Sequence, residues 1–470
     1  MAFVVAAPSS GSGKTILSLV LLAWAKSQGF RSQPFKIGPD YLDAEHLTKV
    51  SGSRCRNLDI PLCGFDWVKK SFQGYGGQAD FVLVEGVMGL FDGVGASDYG
   101  STASVAKYLD LPVVLVVDAS GQAASIAALL NGFCLHDEKL RIAGVVLNKI
   151  NSKRHLELLT QVLTRSGVRV LGHLPRDSQL TISSKNLGLV PAHELDGFEK
   201  RYEGLAFLAE RHLDLETFKK LLLSPQACFD PVKSLFENEN ENFFSQKYSV
   251  AIAQDRAFHF RYEEMKECLS CLGVELIPWS PLNDEALPPS VSGLMIPGGF
   301  PEEFAELLST CRRSLNEIRS FYGKFPIYAE CGGMMLLGES IYDTEGNNFK
   351  LSGILPYSFT KSSLKVGYRK MIGINDTLLI KKNELLVGHE FHRWHLVSSP
   401  NPLNDSSDQY LDAKSSSLFK PWKMSGYLQL EEEEGFSNCL LHASWVHLHW
   451  ASNIKLAKRW RKSLELVITQ

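Results

Sequence analysis

The sequence predicts an α/β protein made of two units, each built on a parallel sheet. Short apolar, β-branched runs alternate with helical patterns over residues 1–190, and a second series of the same kind begins at Tyr248. This alternation is typical of βα units whose helices cover a parallel sheet. A polar segment separates the two series. A chain of 470 residues exceeds the usual size of one domain, which agrees with two units.

Buried strands are predicted where apolar runs end at small or polar residues. In the first series these runs are Phe3–Ala7, Pro34–Ile37, Phe81–Val84, Val113–Val117 and Gly144–Leu147. In the second series they are YSVAIA, VELIP, GLMIP and PIYA. Helices are predicted over Glu199–Leu223 and Tyr262–Leu272.

The predicted boundaries follow from a polar stretch in the middle of the chain. Residues 236–244 read FENENENFF and lack apolar periodicity, which is typical of a linker. We therefore expect an N-terminal unit over 1–235, a linker over 236–246 and a C-terminal unit over 247–470. The polar segment Pro400–Ser417 is predicted to be a loop.

Composition excludes several classes of protein. The hydrophobic content of 44% and charged content of 21% are those of an ordinary globular protein. The net charge is −3 without a basic stripe, so no nucleic-acid partner is expected. The longest apolar run, Ile16–Ala25, is about half of what a spanning helix needs, so no membrane partner is expected. The start lacks a basic signal region and the nine cysteines are scattered, which favours a cytoplasmic location.

The N-terminal segment Pro8–Thr15 predicts a phosphate-binding loop, because it follows a strand and opens a helix. Small residues let successive backbone N–H groups turn towards phosphate oxygens, and the helix N-terminus adds a favourable dipole. A lysine at the end of such a loop reaches the β- and γ-phosphates, and the hydroxyl after it ligates Mg²⁺. Pro8 stands where the strict pattern has glycine, so the motif is a variant. The predicted nucleotide-binding residues are Ser10, Gly11, Ser12, Gly13, Lys14 and Thr15.

Acidic residues follow two further strands. Asp40 comes after the run ending at Ile37, and Glu85 directly follows the run ending at Val84. Carboxylates at the carboxyl ends of parallel strands point into the crevice where nucleotides bind. We predict that Thr15, Asp40 and Glu85 hold Mg²⁺ together with ATP. Asn148, at another strand end, either reads an adenine edge or has a structural role in a turn.

A second site is predicted around Cys331, which lies in a strand–turn–helix segment with small neighbours. Such an elbow exposes the sulfur, and the following helix N-terminus favours the thiolate. A base is expected from His447 or His449, because strand alternation would put both on one face. Gly298 and Gly299 follow a strand and are expected to supply an oxyanion hole.

These residues lie in motifs that resemble a known family. ECGG, PGGFPE and SWVHLHW resemble class I glutamine amidotransferase domains of the cobalamin-pathway type. APSSGSGKT, KIGPDYLD, VEGVMGLFDG and SKNLGLV resemble the ATP-dependent half of cobyrinic acid a,c-diamide synthases. The resemblance covers nearly the whole chain in the family's order. It implies a P-loop NTPase-like unit related to dethiobiotin synthetase and a flavodoxin-like class I glutamine amidotransferase unit.

The resemblance also implies a reaction and residue roles. Glutamine would be hydrolysed at Cys331 with His447 as base, and ATP would phosphorylate the a- and c-acetate groups of cobyrinic acid before ammonia displaces phosphate. Asp43 and Asp92 would lie near the substrate carboxylates or the metal. Many class I glutaminases carry glutamate two residues after the histidine, where this chain has His449. The family usually has tyrosine at the position of Trp445.

Several alternatives stay open at this point. Hydrogenobyrinic acid, the metal-free ring, is a rival substrate within the same family. Cobyric acid synthases typically have His-Gly where this chain has His447-Leu448, and CTP-synthase-like enzymes have the glutamate that His449 replaces. A different class is a P-loop ATPase switch with a vestigial glutaminase unit. The oligomeric state is also open, with a homodimer as one expectation.

Two charged motifs are expected to be structural. The acidic run Glu431–Glu434 is predicted to be a solvated loop or helix end. His389, His392 and His395 are spaced unlike a compact metal site, so structural or substrate contacts are expected there.

Overall fold

A computed structural model of the chain describes residues 2–176, 184–185, 188–189, 198–221, 229–237, 247–398 and 418–468. The chain divides into two compact units, Met1–Pro231 and Val232–Gln470. The division lies close to the predicted linker, of which residues 238–246 are outside the described ranges. The unit bounds given above therefore stay a prediction. The loop predicted at 400–417 also lies outside the described residues.

A seven-stranded parallel sheet forms the centre of the N-terminal unit. Its strands are β1 (Ala2–Ala6), β2 (Ser32–Ile37), β3 (Arg56–Leu58), β4 (Phe81–Glu85), β5 (Val113–Asp118), β6 (Ile142–Ile150) and β7 (Val170–Pro175), followed by the separate pair β8 (Ser184–Lys185) and β9 (Gly188–Leu189). Its helices are α1 (Lys14–Ser27), α2 (Leu42–Ser51), α3 (Ile60–Gly76), α4 (Thr102–Tyr108), α5 (Ser125–His136), α6 (Lys153–Arg165), α7 (Phe198–His212) and α8 (Leu215–Leu221). The strand order is β3–β2–β4–β1–β5–β6–β7, so the loops after β1 and β4 lie side by side.

Both faces of this sheet are buried. In β1, Val4 packs in a core that includes residues of α3 to α6, whereas Phe3 and Val5 pack in a second core that includes residues of α1, α7 and α8. Burial on both faces explains why the strands are near-continuous apolar runs without polar alternation.

The C-terminal unit contains two sheets. Its strands are β10 (Tyr248–Ala253), β11 (Val274–Trp279), β12 (Leu294–Ile296), β13 (Ile327–Glu330), β14 (Ser340–Tyr342), β15 (Asn348–Lys350), β16 (Tyr357–Gly373), β17 (Leu385–Ser398), β18 (Trp422–Gly426), β19 (Gln429–Glu434), β20 (Phe436–Ser437), β21 (Leu441–Ser444) and β22 (Val446–His447). Its helices are α9 (Glu263–Cys271), α10 (Ala305–Thr310), α11 (Arg312–Phe321), α12 (Gly332–Leu336) and α13 (Lys455–Ile468). Single 3₁₀ turns lie at Lys233–Leu235, Pro281–Asn283, Pro301–Phe304 and Trp450–Ser452.

The first of these sheets has the order β11–β10–β12–β13–β21–β20 and is parallel except at β20. The second is formed around the long hairpin of β16 and β17, with β14, β15, β18 and β19 on one side and β22 on the other. The pairing of β17 with β22 sets His389 opposite His447. The hairpin therefore brings the GHEFHRWH segment beside the C-terminal histidine motif.

The predicted strands of both series are confirmed as β1, β2, β4, β5, β6, β10, β11, β12 and β13. The predicted helix over Glu199–Leu223 is found as two helices, because Asp214 begins a new one. Its Oδ1 accepts a hydrogen bond of 3.1 Å from the backbone N–H of Thr217, as an N-cap does. Within the described ranges, no helix combines the length and apolar character that crossing a bilayer requires.

The prediction that the acidic run is a loop or helix end is wrong, and its last residue is not solvated either. Residues 431–434 lie in β19, and Glu434 is buried. Its carboxylate accepts hydrogen bonds from Trp422 Nε1, Ser444 Oγ and the backbone N–H of Trp445 at 2.7 to 2.8 Å. These three donors compensate the burial of this carboxylate, whereas Glu431, Glu432 and Glu433 are exposed.

Candidate active sites

The loop between β1 and α1 has the backbone of a phosphate cradle. Gly13 precedes α1 with a φ of 112°, and a Cβ atom there would lie 2.1 Å from Nδ2 of Asn148. Ser12 Oγ donates to the carbonyl of Ser9 at 3.0 Å. A positive φ and a close approach both require glycine. The segment Ser10–Gly13 thus lies where the motif predicts, between a strand end and a helix start.

Asn148, at the end of β6, supports this loop from the side. Its Nδ2 donates to the carbonyl of Ser12 at 2.9 Å, and its Oδ1 accepts from the backbone N–H of Lys149 at 2.8 Å. The residue is buried. Because its amide is used in these contacts, the geometry favours the structural alternative over a contact with adenine.

Lys14 is bound by backbone carbonyl groups. Its Nζ donates to the carbonyl of Met88, and at 3.5 Å to that of Ser9. Burial lowers the pKa of Lys14 to about 8, and the neighbouring charge of Lys36 acts in the same direction. Met88 has a φ of 46°, which is unusual for a residue with a side chain and turns its carbonyl towards the loop. Phosphate oxygens would give this lysine stronger partners than the two carbonyl groups.

A cluster of carboxylates, buried at Glu85 and half-buried at Asp40 and Asp43, lies beside the loop at the ends of β2 and β4. Thr15 Oγ1 donates to Glu85 Oε1 at 2.9 Å, so the predicted hydroxyl and carboxylate meet. Lys36 Nζ bonds to the same oxygen at 2.8 Å and to Asp43 Oδ2. Glu85 Oε2 is buried and has no hydrogen-bond partner among the described residues. Asp40 joins the cluster through its Oδ1, which accepts from the N–H of Asp43 at 2.9 Å.

The charges of this cluster are strongly perturbed. Burial raises the pKa of Asp40 to about 7, with the negative charge of Asp43 as the second cause. Burial also raises the pKa of Glu85. Burial by itself would lower the pKa of Lys36, but the carboxylates of Asp43 and Glu85 raise it above its usual range. Lys36 is therefore the positive charge that balances the cluster.

Lys36 was missed by the sequence reasoning, although a signal was present. The lysine stands in β2, whose six residues are all buried. A lysine in a buried strand needs a charged partner. That rule would have pointed to a cluster of acidic residues at this strand end.

Asp92 lies outside the hydrogen-bonded cluster in the described part of the unit. Its carboxylate is on an exposed residue, and its Oδ2 accepts from the N–H of Gly89 at 2.7 Å. Asp92 thus stabilises the turn that presents the carbonyl of Met88 to Lys14. Its predicted contact with substrate or metal stays a prediction.

Cys331 forms a strained elbow between β13 and α12. Its φ and ψ are 50° and −114°, and its N–H donates to the carbonyl of Ser444 at 2.7 Å. A Cβ on Gly333 would lie 2.0 Å from the carbonyl oxygen of Ile296, and one on Gly332 would lie 2.7 Å from Pro301. The two glycines therefore permit the tight turn that the ECGG motif predicts.

His447 and the PGGFPE loop meet at this elbow. A Cβ on Gly298 would lie 2.4 Å from Cε1 of His447, and one on Gly299 would lie 2.0 Å from the carbonyl oxygen of Ala257. Burial alone would lower the pKa of His447, but the Cys331 thiolate and the Glu330 carboxylate raise it to about 10. Cys331, His447 and the two predicted oxyanion glycines are thus brought together.

The expected alternation of the two histidines is wrong. Strand β22 ends at His447, and His449 lies beyond it. Its Nε2 is 3.6 Å from Glu264 Oε2, and its ring packs at 4.7 Å from that of Tyr262. His449 therefore has partners in and beside α9, whereas His447 is the histidine beside Cys331.

The GHEFHRWH segment forms a polar network inside the second sheet. Glu390 Oε2 accepts from Arg369 Nε at 2.6 Å, and Glu390 Oε1 contacts His392 Nε2 at 2.7 Å. The His392 ring stacks on Trp445 at 3.9 Å. Burial would raise the pKa of Glu390, but His392 and Arg369 lower it to about 2. These contacts of His392 agree with the structural role expected for this segment.

Comparison with known proteins assigns each unit to a class. Residues 3–190 match the model of the CobQ/CobB/MinD/ParA nucleotide binding domain. Residues 249–454 match that of the CobB/CobQ-like glutamine amidotransferase domain. The two-unit α/β fold predicted from the sequence is thereby confirmed: a nucleotide-binding unit is joined to a glutamine amidotransferase unit in one chain.

Relatives over nearly the full length define the family. The chain is 40% identical over 394 residues to cobyrinate a,c-diamide synthase of Caldanaerobacter subterraneus subsp. tengcongensis, covering 83% of this chain and 85% of that one. It is 36% identical over 468 residues to the synthase of the same name from a Synechocystis species, covering 98% and 93%. It is 37% identical over 465 residues to hydrogenobyrinate a,c-diamide synthase of Mycobacterium bovis, covering 96% and 95%. The chain belongs to the family of cobyrinate a,c-diamide synthases.

Proposed function

We propose that this chain converts the a- and c-acetate carboxylates of cobyrinic acid to amides, with glutamine as nitrogen source and ATP as activating co-substrate. The observation that carries the proposal is the presence of two different reactive centres in one chain. The thiol–imidazole pair of Cys331 and His447 suits amide hydrolysis. The loop around Lys14, beside a carboxylate cluster, suits phosphoryl transfer. The names of the full-length relatives support this combination.

In the C-terminal unit, Cys331 would act as nucleophile and His447 as base. The thiol proton passes to the imidazole, and the sulfur attacks the carboxamide carbon of glutamine. The C–N bond breaks as the imidazolium returns the proton to nitrogen, so ammonia leaves and a thioester remains. Water then hydrolyses the thioester to glutamate. Backbone N–H groups of Gly298 and Gly299 would stabilise the oxyanion of each tetrahedral intermediate.

In the N-terminal unit, ATP would activate the acceptor. The backbone of Ser10–Gly13 and the ammonium of Lys14 would bind the phosphates. The substrate carboxylate attacks the γ-phosphorus, ADP leaves, and an acyl phosphate forms. Ammonia then attacks the acyl carbon and inorganic phosphate departs. A second round would convert the other acetate.

The residues of this unit also fit Mg²⁺. Glu85 Oε2 is a buried carboxylate oxygen without a described partner, and Thr15 Oγ1 lies at 2.9 Å from the other oxygen of the same carboxylate. Thr15, Glu85 and Asp40 would hold the ion with the phosphates of ATP. Bound there, Mg²⁺ would neutralise phosphate charge and polarise the transferred group. Lys36 would keep Glu85 and Asp43 ionised and oriented.

Hydrogenobyrinic acid is the second candidate acceptor. It is favoured by the mycobacterial relatives, which are named for that ring and match over 96% of this chain. The reaction at the acetate groups would be the same. The two acceptors differ in the metal at the ring centre.

The test is a mass spectrum of each ring after incubation with the full chain, MgATP and glutamine. A mass change equal to two carboxyl-to-amide conversions is expected for at least one ring, and competition between the rings ranks them. Reactions without ATP or without glutamine are the controls. ATP hydrolysis and glutaminase activity without amidation of either ring would contradict the proposed acceptor. ATP hydrolysis with no use of glutamine would favour the switch ATPase.

A further inference from the structure

Among the described residues of the C-terminal unit, two buried Glu–His pairs involve the histidines of the C-terminal SWVHLHW motif, and only one of these two is beside the thiol. His447 Nδ1 is 3.8 Å from Glu330 Oε1. His449 Nε2 is 3.6 Å from Glu264 Oε2. In many class I glutaminases a glutamate two residues after the histidine orients it, and His449 occupies that place here. His449 pairs with Glu264 and therefore does not orient His447. Another group has to orient this imidazole.

Glu330 is held so that one oxygen remains directed at His447. Its Oε2 accepts from Tyr328 Oη at 2.8 Å and from the backbone N–H of Leu448 at 3.2 Å. Tyr328 is itself buried and packs edge-on against Trp450 at 5.4 Å. Glu330 is 3% exposed, so its charge acts through a poorly screened environment.

The charged groups facing His447 come from three elements. Cys331 lies at the elbow, Glu330 is the last residue of β13, and His389 lies opposite on β17. Burial lowers the pKa of His389 to about 3, and His447 acts in the same direction, so His389 is neutral. Glu330 is thus the carboxylate nearest to the imidazole among the described residues. The distance of 3.8 Å is an ion-pair contact, longer than a hydrogen bond, and such contacts tighten when substrate binds.

We propose that Glu330, the residue immediately before the nucleophile, is the positioning residue for His447, completing a Cys331–His447–Glu330 triad. The inference rests on the proposed glutaminase function and deepens it. Glu330 orients the imidazole with Nδ1 towards the carboxylate, which leaves Nε2 for the thiol proton. It also stabilises the imidazolium that forms when Cys331 is deprotonated.

The chain offers a matched pair of variants for the test. Glu330→Gln and Glu264→Gln make the same isosteric change at a buried Glu–His pair, but only the first is beside Cys331. Glutaminase kcat, KM and pH profile are measured with MgATP and cobyrinic acid present. Glu330→Gln should lower kcat about 100-fold or more, with KM changed less than about threefold. Glu264→Gln should change kcat less than about threefold.

The pH profile separates positioning from folding. With its raised pKa, His447 already holds the thiol proton as an imidazolium beside the Cys331 thiolate. Loss of the Glu330 charge lowers the pKa of His447, so this active ion pair is lost at lower pH and the basic limb of the Glu330→Gln profile should move to lower pH. Glu330→Asp should recover part of kcat, because it restores the charge. Tyr328→Phe removes one bond to Oε2 and should give a smaller loss with the same direction of pH shift, which keeps the test valid if Glu330→Gln does not fold.

Two results would overturn the triad. One is a Glu330→Gln enzyme with kcat within about threefold of the wild type. The other is an equal loss in both Glu→Gln variants with an unchanged pH profile, which would mark Glu330 as merely structural. Absence of glutaminase activity in the wild-type chain would instead contradict the proposed function itself, so the two failures are distinguishable.

Discussion

Asn148 donates a hydrogen bond of 2.9 Å from its side-chain Nδ2 to the carbonyl oxygen of Ser12, 136 residues earlier in the chain. The same Nδ2 atom lies where a Cβ on Gly13 would have to go. The asparagine therefore does two things at once: it fixes the phosphate loop to the end of β6 and it closes the space behind the loop. This relationship makes an added methyl group more damaging at Gly13 than at Gly11.

Gly13→Ala and Gly11→Ala test that sensitivity. Both glycines have positive φ, so each alanine is strained by about 1–3 kcal/mol. Only at Gly13 does the new Cβ also collide with Asn148, because Gly11 has no atom within 4 Å. We expect Gly13→Ala to abolish measurable ATP binding by calorimetry and Gly11→Ala to weaken it less. Equal loss in the two variants would contradict the proposed role of Asn148.

Lys14→Ala should abolish amidation with glutamine and with free ammonium alike. The ammonium group is the cation that the loop presents to the phosphates, and without it the acceptor is not activated. The measurement is product formation with either nitrogen donor. A urea unfolding curve close to that of the wild type shows that the variant is folded. Amidation retained at a rate near that of the wild type would refute the phosphate-loop assignment.

Cys331→Ala should abolish glutamine use and leave amidation with free ammonium. The thiolate is required only to release ammonia from glutamine. Initial rates with each donor at saturating MgATP provide the measurement. Cys439, an exposed cysteine of the same unit, offers a control in Cys439→Ala, which should retain both rates. If loss of Cys331 removed both donors equally, the two-site hypothesis would fail.

Thr15→Val and Thr15→Ser examine the magnesium proposal. Valine keeps the shape of threonine and removes the hydroxyl, whereas serine keeps the hydroxyl. We expect Thr15→Val to need about tenfold more Mg²⁺ for half-maximal ATP hydrolysis, an effect of the order seen when groups around a metal are lost. Thr15→Ser should stay near the wild-type requirement. An unchanged Mg²⁺ titration in Thr15→Val would count against Thr15 as a ligand.

Asp40→Asn should change how stability depends on pH. The folded chain raises the pKa of Asp40 from 3.8 to about 7, chiefly by burial. Between these values the folded state binds more protons than the unfolded state, so this group makes the protein less stable as pH rises from about 4 to about 7. Asparagine removes that contribution.

Urea unfolding of both proteins, without nucleotide, at several pH values measures the effect. The wild type should lose free energy of unfolding relative to Asp40→Asn across that range. The expected difference is on the order of 1–2 kcal/mol, because Asp40 is only half-buried. A difference between the two proteins that does not vary with pH would show that Asp40 titrates normally.

The sequence by itself determined the two chemistries and most strands of two sheets, the seven-stranded sheet of the N-terminal unit and the first sheet of the C-terminal unit. The phosphate loop at 8–15 and the elbow at Cys331 are local features, in which neighbouring small residues permit a particular backbone. Buried parallel strands are continuous apolar runs, so each of them can be recognised from its own short segment of sequence. For the same reason the candidate nucleophile, the lysine of the loop and the two-unit α/β fold could be predicted.

Only the tertiary structure decided which distant side chains meet. Lys36 balances Glu85 and Asp43, Asn148 supports Ser12, and Glu330 faces His447 while His449 pairs with Glu264. These contacts join different strands and helices, and strand order and register set them across long separations in sequence. The end of β22 at His447 broke the alternation on which the histidine prediction depended. Packing therefore decided which polar groups pair with which. The motifs already contained the reactive residue types, namely the lysine, the carboxylates, the thiol and the imidazole.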